Sequence, residues 1–454
     1  MTDFRKLDEY LETHLDESLS ELSRLVSQPS VAAQPLGIEA CAQLVADLVR
    51  SRGFKVDIVR TKGAPVVFGN LPGKSERTLL IYNHYDVQPP EPLELWESPP
   101  FEPQIRDGRI YGRGVSDDKG HIAARLLALD ALLSVNGELP CQVKFIIEGE
   151  EETASENLYE FVRGHKEWLL ADACVWEFGS VDHRDIPMQY LGMRGICYVE
   201  LSVQTASTDV HSGIGGSIFP NAAWRLVWAL ATLKDASENI NIAGFYDGVR
   251  PPSDRDRQLL RALPEIADEY KSRYGIKSFI KGLSGGEKLR TEEVFTPTCT
   301  ICGLTAGYQG PGSKTVLPAR ASAKVDFRLV PDQVPADILR KLRAHLDQHG
   351  FEDVSISDLG GDAPARTDPD NPFIQLVTRT AKDVYGTPMQ LVPMVGGSGP
   401  IHPFVHELGL PVATAGLGHP DTRAHAPNEN VRIDLYLKHA RHMVRILDEF
   451  SRMP

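Results

Sequence analysis

The sequence predicts an α/β fold, a mostly parallel sheet with flanking helices, interrupted by a smaller α+β domain. Three observations predict it. Helical and strand-like segments alternate through the first third of the chain. Two of those strands read as covered on both faces: 78–83, where Leu79-Leu80-Ile81-Tyr82 is nearly all apolar, and Cys141–Glu148. After Gly192 the texture changes: residues 199–204 alternate apolar and polar, as in a strand with one solvated face, and the first pattern resumes beyond residue 371. The expected division is therefore 1–191, an inserted domain over 192–366, and 367–454.

In order along the chain, residues 4–26 read as one amphipathic helix, with Phe4, Leu7, Leu11, Leu15, Leu19, Leu22 and Leu25 at near-helical spacing. Ser27-Gln28-Pro29-Ser30 breaks it. A second helix over 38–52 ends at Gly53, a glycine suited to a helix C-terminus. Strands follow at 55–60, 65–69 and 78–83, then a helix at 120–135 and the strand at 141–148. Within the insertion a helix is expected at 221–233, strands at 298–303, 321–330 and 354–358, and a helix at 335–348. Residues 235–295 are charged and loop-rich and give no assignable element. The stretch 360–371, GGDAPARTDPDN, reads as a linker. A helix at 372–385, an apolar strand near 411–415 and a helix at 432–450 complete the pattern.

With 454 residues there is room for two or three domains. A net charge of −14 argues against wrapping a phosphate backbone, so no nucleic-acid partner is expected. No window approaches 18 uninterrupted apolar residues, so no membrane partner is expected either. The acidic, amphipathic first twenty residues lack the apolar core of a secretion signal, and the six cysteines are scattered, which points to the cytoplasm. Cys299 and Cys302 form a single CxxC and read as two small apolar residues in a strand.

Parallel α/β sheets hold their ligand sites at the carboxyl ends of strands, and five acidic or histidine clusters fall there. The first is Asn83-His84-Tyr85-Asp86. His84 and Asp86 share a face of an extended segment, so Asp86 can orient a metal-bound His84. The second, Gly112 to Gly120, holds Asp117, which is either a carboxylate bridging two cations or the cap of the following helix. The third, Glu148-Gly-Glu150-Glu151-Glu152, packs four carboxylates into five residues after a buried strand. Divalent cations would offset their repulsion, and one carboxylate is a candidate general base. The fourth is Glu177, with Asp182 as an alternative. The fifth is the turn-rich loop from His419 to Asn430, holding His425; Asn428 or Asn430 is a candidate helix cap. Together these offer mixed nitrogen and oxygen ligation, which suits zinc or manganese better than calcium. There is no GxSxG, P-loop or GxGxxG motif.

Seven segments then stand in a shared order: NHYDVQP (83–89), YGRGVSDDKG (111–120), EGEEETAS (148–155), DVHSG (209–213), DFRLVPDQ (326–333), GGSGP (396–400) and AHAPNEN (424–430). In them the chain resembles the co-catalytic dinuclear metallopeptidases that include carnosinase-type dipeptidases, aminoacylases, glutamate carboxypeptidases and succinyl-diaminopimelate desuccinylase. The resemblance is strongest to the dipeptidase branch. It implies a zinc-exopeptidase-like catalytic domain and a lid or dimerisation domain. It implies two divalent ions per subunit, Zn²⁺ first and Mn²⁺ or Co²⁺ next, bridged by Asp117. His84 and Glu177 would complete one site, Glu152 and His425 the other. Glu151 would be the general base, and Asp86 would orient His84. His211 would reach the partner's active site in a homodimer and polarise the scissile carbonyl. Arg328, Gly397 and Ser398 would hold the substrate carboxylate. The implied reaction is hydrolysis of dipeptides or short peptides by a metal-activated water. N-acyl amino acids are the alternative substrate, and a non-catalytic binding homologue is a third reading. Two departures bear on that choice: Glu177 stands where the dipeptidase branch usually has Asp, and Val395 where an acidic residue often precedes the Gly-Gly-Ser turn.

Overall fold

A computed structural model describes residues 2–453. The chain divides into two compact units. One comprises Met1–Gly192, Arg366–Pro393 and Pro400–Pro454; the other comprises Met193–Ala365 and Met394–Gly399.

The first unit is built on a six-stranded sheet in the order Lys55–Val59, Val66–Leu71, Cys141–Glu148, Ser75–His84, Ala173–Trp176, Val412–Thr414. The first two pairings are antiparallel and the other three parallel. The four parallel strands therefore end along one edge, and that edge carries the site. The helix Lys119–Asn136 packs on the strand Ser75–His84 and is itself covered by the helices Phe4–Thr13, Leu15–Ser27 and Ile433–Phe450. It is buried on nearly every side, which explains its apolar composition all round.

Several local expectations change. The 4–26 helix is two helices, because His14 stacks on Tyr10 (3.8 Å between ring centres) and its Nδ1 turns back to the Tyr10 carbonyl. The 372–385 helix is likewise split, into Pro372–Thr380 and Lys382–Tyr385. The 360–371 stretch is not a free linker: the strand Ser355–Asp362 runs into it, pairing Gly361 with Cys197 and Asp362 with Ile196.

The second unit has an antiparallel sheet in the order Thr300–Ala306, Arg320–Leu329, Gly195–Gln204, Ser355–Asp362. Ala222–Leu233 and Pro335–Gln348 cover one face, around Val199, Leu201, Leu226, Val325, Phe327 and Leu342. The region 235–295, which gave no element from sequence, holds the helices Asp254–Ala262, Ala267–Tyr274 and Gly286–Phe295. The first is closed by a capping box between Ser253 and Asp256. Their faces are narrow and heavily charged, so apolar periodicity hardly marks them.

Candidate metal centre

His84 is the last residue of the strand Ser75–His84 and is fully buried. Asp86 lies against it: His84 Nδ1 is 3.1 Å from the Asp86 carbonyl and 3.3 Å from its carboxylate. That fixes Nδ1 as the protonated nitrogen and leaves Nε2 free to ligate. The same Asp86 carboxylate accepts the backbone N–H groups of Glu151 (3.2 Å) and Glu152 (3.0 Å). One side chain therefore sets both the first histidine and the acidic turn after the strand Cys141–Glu148.

Sequence left Asp117 open between a helix cap and a bridging carboxylate. The cap position of Lys119–Asn136 belongs to Asp118, which instead accepts hydrogen bonds from Asn83 Nδ2 and His84 N. Asp117 faces two histidines, with Oδ1 3.0 Å from His84 Nε2 and Oδ2 2.9 Å from His425 Nε2. Glu177 Oε2 is 3.9 Å from His84 Nε2, and Glu152 Oε2 is 3.2 Å from His425 Nε2. Gln88 donates to Glu152 at 2.7 Å. Two trios thus share Asp117: His84 and Glu177 on one side, Glu152 and His425 on the other. The ligand atoms of Asp117, Glu152 and His425 lie within 4.8 Å of one another.

The electrostatics are those of a carboxylate cluster in need of cations. Burial, then the neighbouring Glu177 charge, pushes Glu151 well above the ordinary carboxylate range. Burial does the same to Glu177 and also raises Glu152. Burial would also raise Asp117, but hydrogen bonds from His425 and His84 outweigh it and hold Asp117 low. Hydrogen bonds to Asp117, then Glu152, lift His425 to about 10. Glu152 Oε1 and Glu177 Oε2 are buried with no hydrogen-bond partner. Orphaned carboxylate oxygens beside two imidazole nitrogens fit divalent metal ions of the zinc, manganese and cobalt type.

One residue that sequence reasoning missed organises the strand ends. Arg125, fully buried, reaches the carbonyls of Tyr82 (3.0 Å), Glu177 (3.0 Å), Ala415 (3.1 Å) and Trp176, and Asn83 Oδ1 at 2.9 Å. It ties together the ends of three parallel strands. Its only signal in sequence is a charge at position 125 among the apolar residues 122–129 of the helix.

Asn428 and Asn430 do not cap the helix Ile433–Phe450: Asn428 Oδ1 accepts from Glu97 N, and Asn430 Oδ1 from Arg109. Asp182 closes its own turn on Arg184 and Ile186 and stays out of the cluster. His419 Nδ1 accepts from Asp421 N.

The remaining candidates lie in the second unit. His211 is exposed; its Nδ1 accepts from Gly213 N at 3.0 Å, which leaves Nε2 as the donor, 3.5 Å from the Thr315 hydroxyl. Both border a cavity of about 1250 Å³ that also meets Asp209, Lys314 and Arg320. Thr315 is a site-bordering residue that sequence reasoning did not single out. Arg328 Nη1 donates to Ser398 Oγ at 2.8 Å, and Gly397 O accepts from Arg194 N at 3.1 Å, so Arg328 and the Gly397–Ser398 turn form one group. Residues 394–399 belong to this unit by contact, although they follow 367 in sequence.

The sequence pattern of peptidase family M20/M25/M40 matches residues 80–449. A Beta-Ala-His dipeptidase from Rattus norvegicus is 26% identical over 99% of this chain and 96% of its own length. A Cys-Gly metallodipeptidase from Schizosaccharomyces pombe is 28% identical over 95% of each. Among solved structures, an M20 family metallo-carboxypeptidase from Sulfolobus solfataricus superposes with a TM-score of 0.93 at 36% identity, covering 96% of this chain and 100% of that one. Human carnosine dipeptidase 1 superposes at 0.85 with 26% identity, covering 99% and 100%.

Proposed function

The chain belongs to peptidase family M20/M25/M40, and from that premise we infer that it is a metal-dependent dipeptidase whose hydrolytic centre is the Asp117 cluster. The observation that supports the assignment is the double trio about one carboxylate: Asp117 stands 3.0 Å from His84 and 2.9 Å from His425, with Glu177 and Glu152 behind them. His84, Asp117 and Glu177 would hold one divalent ion, and Asp117, Glu152 and His425 a second.

Two such ions, when bound, polarise the amide carbonyl and acidify the attacking water. Glu151, whose backbone N–H is pinned by Asp86, takes the proton of that water and returns it to the leaving amine. The Nε2–H of His211 supplies a donor where oxyanion charge develops. Arg328, steadied by Ser398, presents its guanidinium to the free carboxylate of the substrate. A homodimer completes the reading, with His211 serving the partner's centre. Its contact surface would be the apolar face of the second unit, where Trp224 and Trp228 stack while 57% and 55% exposed.

A second reading takes larger substrates with a free carboxylate, including N-acyl amino acids. It is favoured by the 36% identity to a metallo-carboxypeptidase. One assay separates the two: amino-acid release from dipeptides and from N-acetyl amino acids with added Zn²⁺ or Mn²⁺, for the wild type and Glu151→Ala. Dipeptide turnover that collapses in Glu151→Ala while metal stays bound is the expected result. Turnover on N-acetyl substrates alone selects the second reading. No turnover and no bound metal overturns both.

A further inference from the structure

Glu429 is a carboxylate that neither trio uses. It lies four residues beyond His425 and is 0% exposed. Its oxygens accept four hydrogen bonds from the loop that carries Asp117. Oε2 takes Arg113 Nη1 (2.7 Å) and Gly114 N (3.0 Å); Oε1 takes Ser116 N (2.8 Å) and Asp117 N (3.1 Å). Its own carbonyl accepts from Gly112 N at 3.1 Å. Gly114 sits at φ +88°, and a Cβ there would come within 2.7 Å of Val87. That left-handed glycine lets backbone N–H groups converge into a concave anion cradle. The anion is supplied by the segment that also bears His425.

We propose that Glu429 is a positioning residue that couples the two halves of the metal centre, holding the bridging Asp117 in register with His425. The inference rests on the dinuclear reading above. The His425 side chain is 54% exposed and its backbone is left-handed at φ +62°, so burial does little to hold it in place. Its segment is tied to the Asp117 loop by the five-bond junction at Glu429, beside a hydroxyl contact of Thr422 on Ser116 (2.6 Å) and the pairing of Asn430–Arg432 with Arg109–Tyr111; of these, only the Glu429 junction reaches the Asp117 backbone. The other half is secured differently: His84 by Asp86 and its strand, Glu177 by its strand end on Arg125. Loosening Glu429 should therefore weaken the ion held by Asp117, Glu152 and His425, and spare the ion held by His84 and Glu177.

The test is a Co²⁺ titration of the chelator-stripped full chain, followed by calorimetry and by visible absorption. The wild type should take two equivalents. In Glu429→Gln the second equivalent should weaken ~10–100-fold. At subsaturating metal kcat should fall while KM for a dipeptide stays within about threefold, and excess Co²⁺ should restore kcat. Glu429→Asp keeps a carboxylate against Arg113 on a shorter arm, should fold, and should fall between the two. Leu22→Ala, a buried truncation in the helical layer, should lower thermal stability and keep both equivalents. Wild-type affinity for both ions in Glu429→Gln and Glu429→Asp overturns the proposal, as does loss of the second ion in Leu22→Ala. A wild type that takes only one equivalent overturns the dinuclear reading itself, and is distinguishable because it needs no variant.

Discussion

Arg328 leaves its strand on the face opposite the covering helices, with Nη1 on Ser398 at 2.8 Å and Nε 3.4 Å from Asp326. A planar fork held at both ends is shaped for a carboxylate. Charge-assisted hydrogen bonds are worth about 1.5–3 kcal/mol each, so Arg328→Met should lower kcat/KM for a free dipeptide by ~10²-fold. Arg328→Lys should recover little, because an ammonium cannot reproduce the fork. A C-terminally amidated dipeptide, poor for the wild type, should be turned over equally by wild type and variant; a variant that loses both substrates in proportion would deny Arg328 this role. Residues of this kind were legible because their chemistry is local: a histidine at a strand end, an aspartate in a glycine turn, an arginine two positions from an aspartate. Arg125 and Glu429 were not. Most of their partners are backbone groups far away in sequence, 315 positions for Gly114 N and Glu429 and 290 for Arg125 and the Ala415 carbonyl, and no spacing rule reports such a contact.

At the scale of elements, the helix Ile433–Phe450 buries two imidazoles behind the site. His439 has no partner for either ring nitrogen among the described residues, and burial holds it well below its usual titration range. His442 is held at about 4 by burial, with Nε2 donating to the Val377 carbonyl at 3.0 Å. The sign follows from linkage. Both rings stay neutral in the native state, while the unfolded chain takes up their protons near pH 6.5. Their stabilising contribution is therefore complete above pH 6.5 and shrinks as pH falls toward 4. At pH 5 His442 costs about 2 kcal/mol relative to neutrality, and His439 shifts stability in the same direction. His439→Met gives up no hydrogen bond, so its urea midpoint at pH 7 should match or exceed the wild type's. Its advantage should widen as pH falls from 7 to 5; an equal loss in both proteins over that range would show that His439 is not the titrating group. Elements were legible where burial was strong and periodic. The parallel strands announced themselves as apolar runs, and the alternation of 199–204 marked the second sheet. The break at His14 was invisible because the apolar stripe continues across it. The helices within 254–295 were hidden because they bury few side chains each; Leu259, Leu260, Leu289, Val294 and Phe295 do most of that packing.

At the scale of the whole molecule, the proposed ligands and base all lie in the first unit, while His211 and Arg328 belong to the second. Assignment of His211 to a partner's centre makes a prediction that no single-chain defect can imitate. Glu151→Gln lacks the base but keeps His211; His211→Ala keeps the base but lacks the donor. Each alone should be nearly inactive, general acid–base catalysis contributing ~10²–10⁴-fold and a lost oxyanion donor ~10²–10³-fold. Mixed in equal amounts and allowed to exchange subunits, half the dimers should be heterodimers. In each heterodimer one centre combines an intact Glu151 with an intact His211, so activity should recover to about a quarter of the wild type's in a closed two-fold assembly. If His211 served its own chain, every centre in the mixture would lack one group and nothing would recover. Charge at the exposed tryptophan pair provides the second arm. Trp224→Glu with Trp228→Glu places like charges on a face that the proposed dimer would desolvate, and should yield a monomer by sedimentation. That monomer should keep its bound metal and lose turnover, because on the proposed reading the ligands lie within one unit while the oxyanion donor would come from another chain. A monomer with full activity would return His211 to its own subunit.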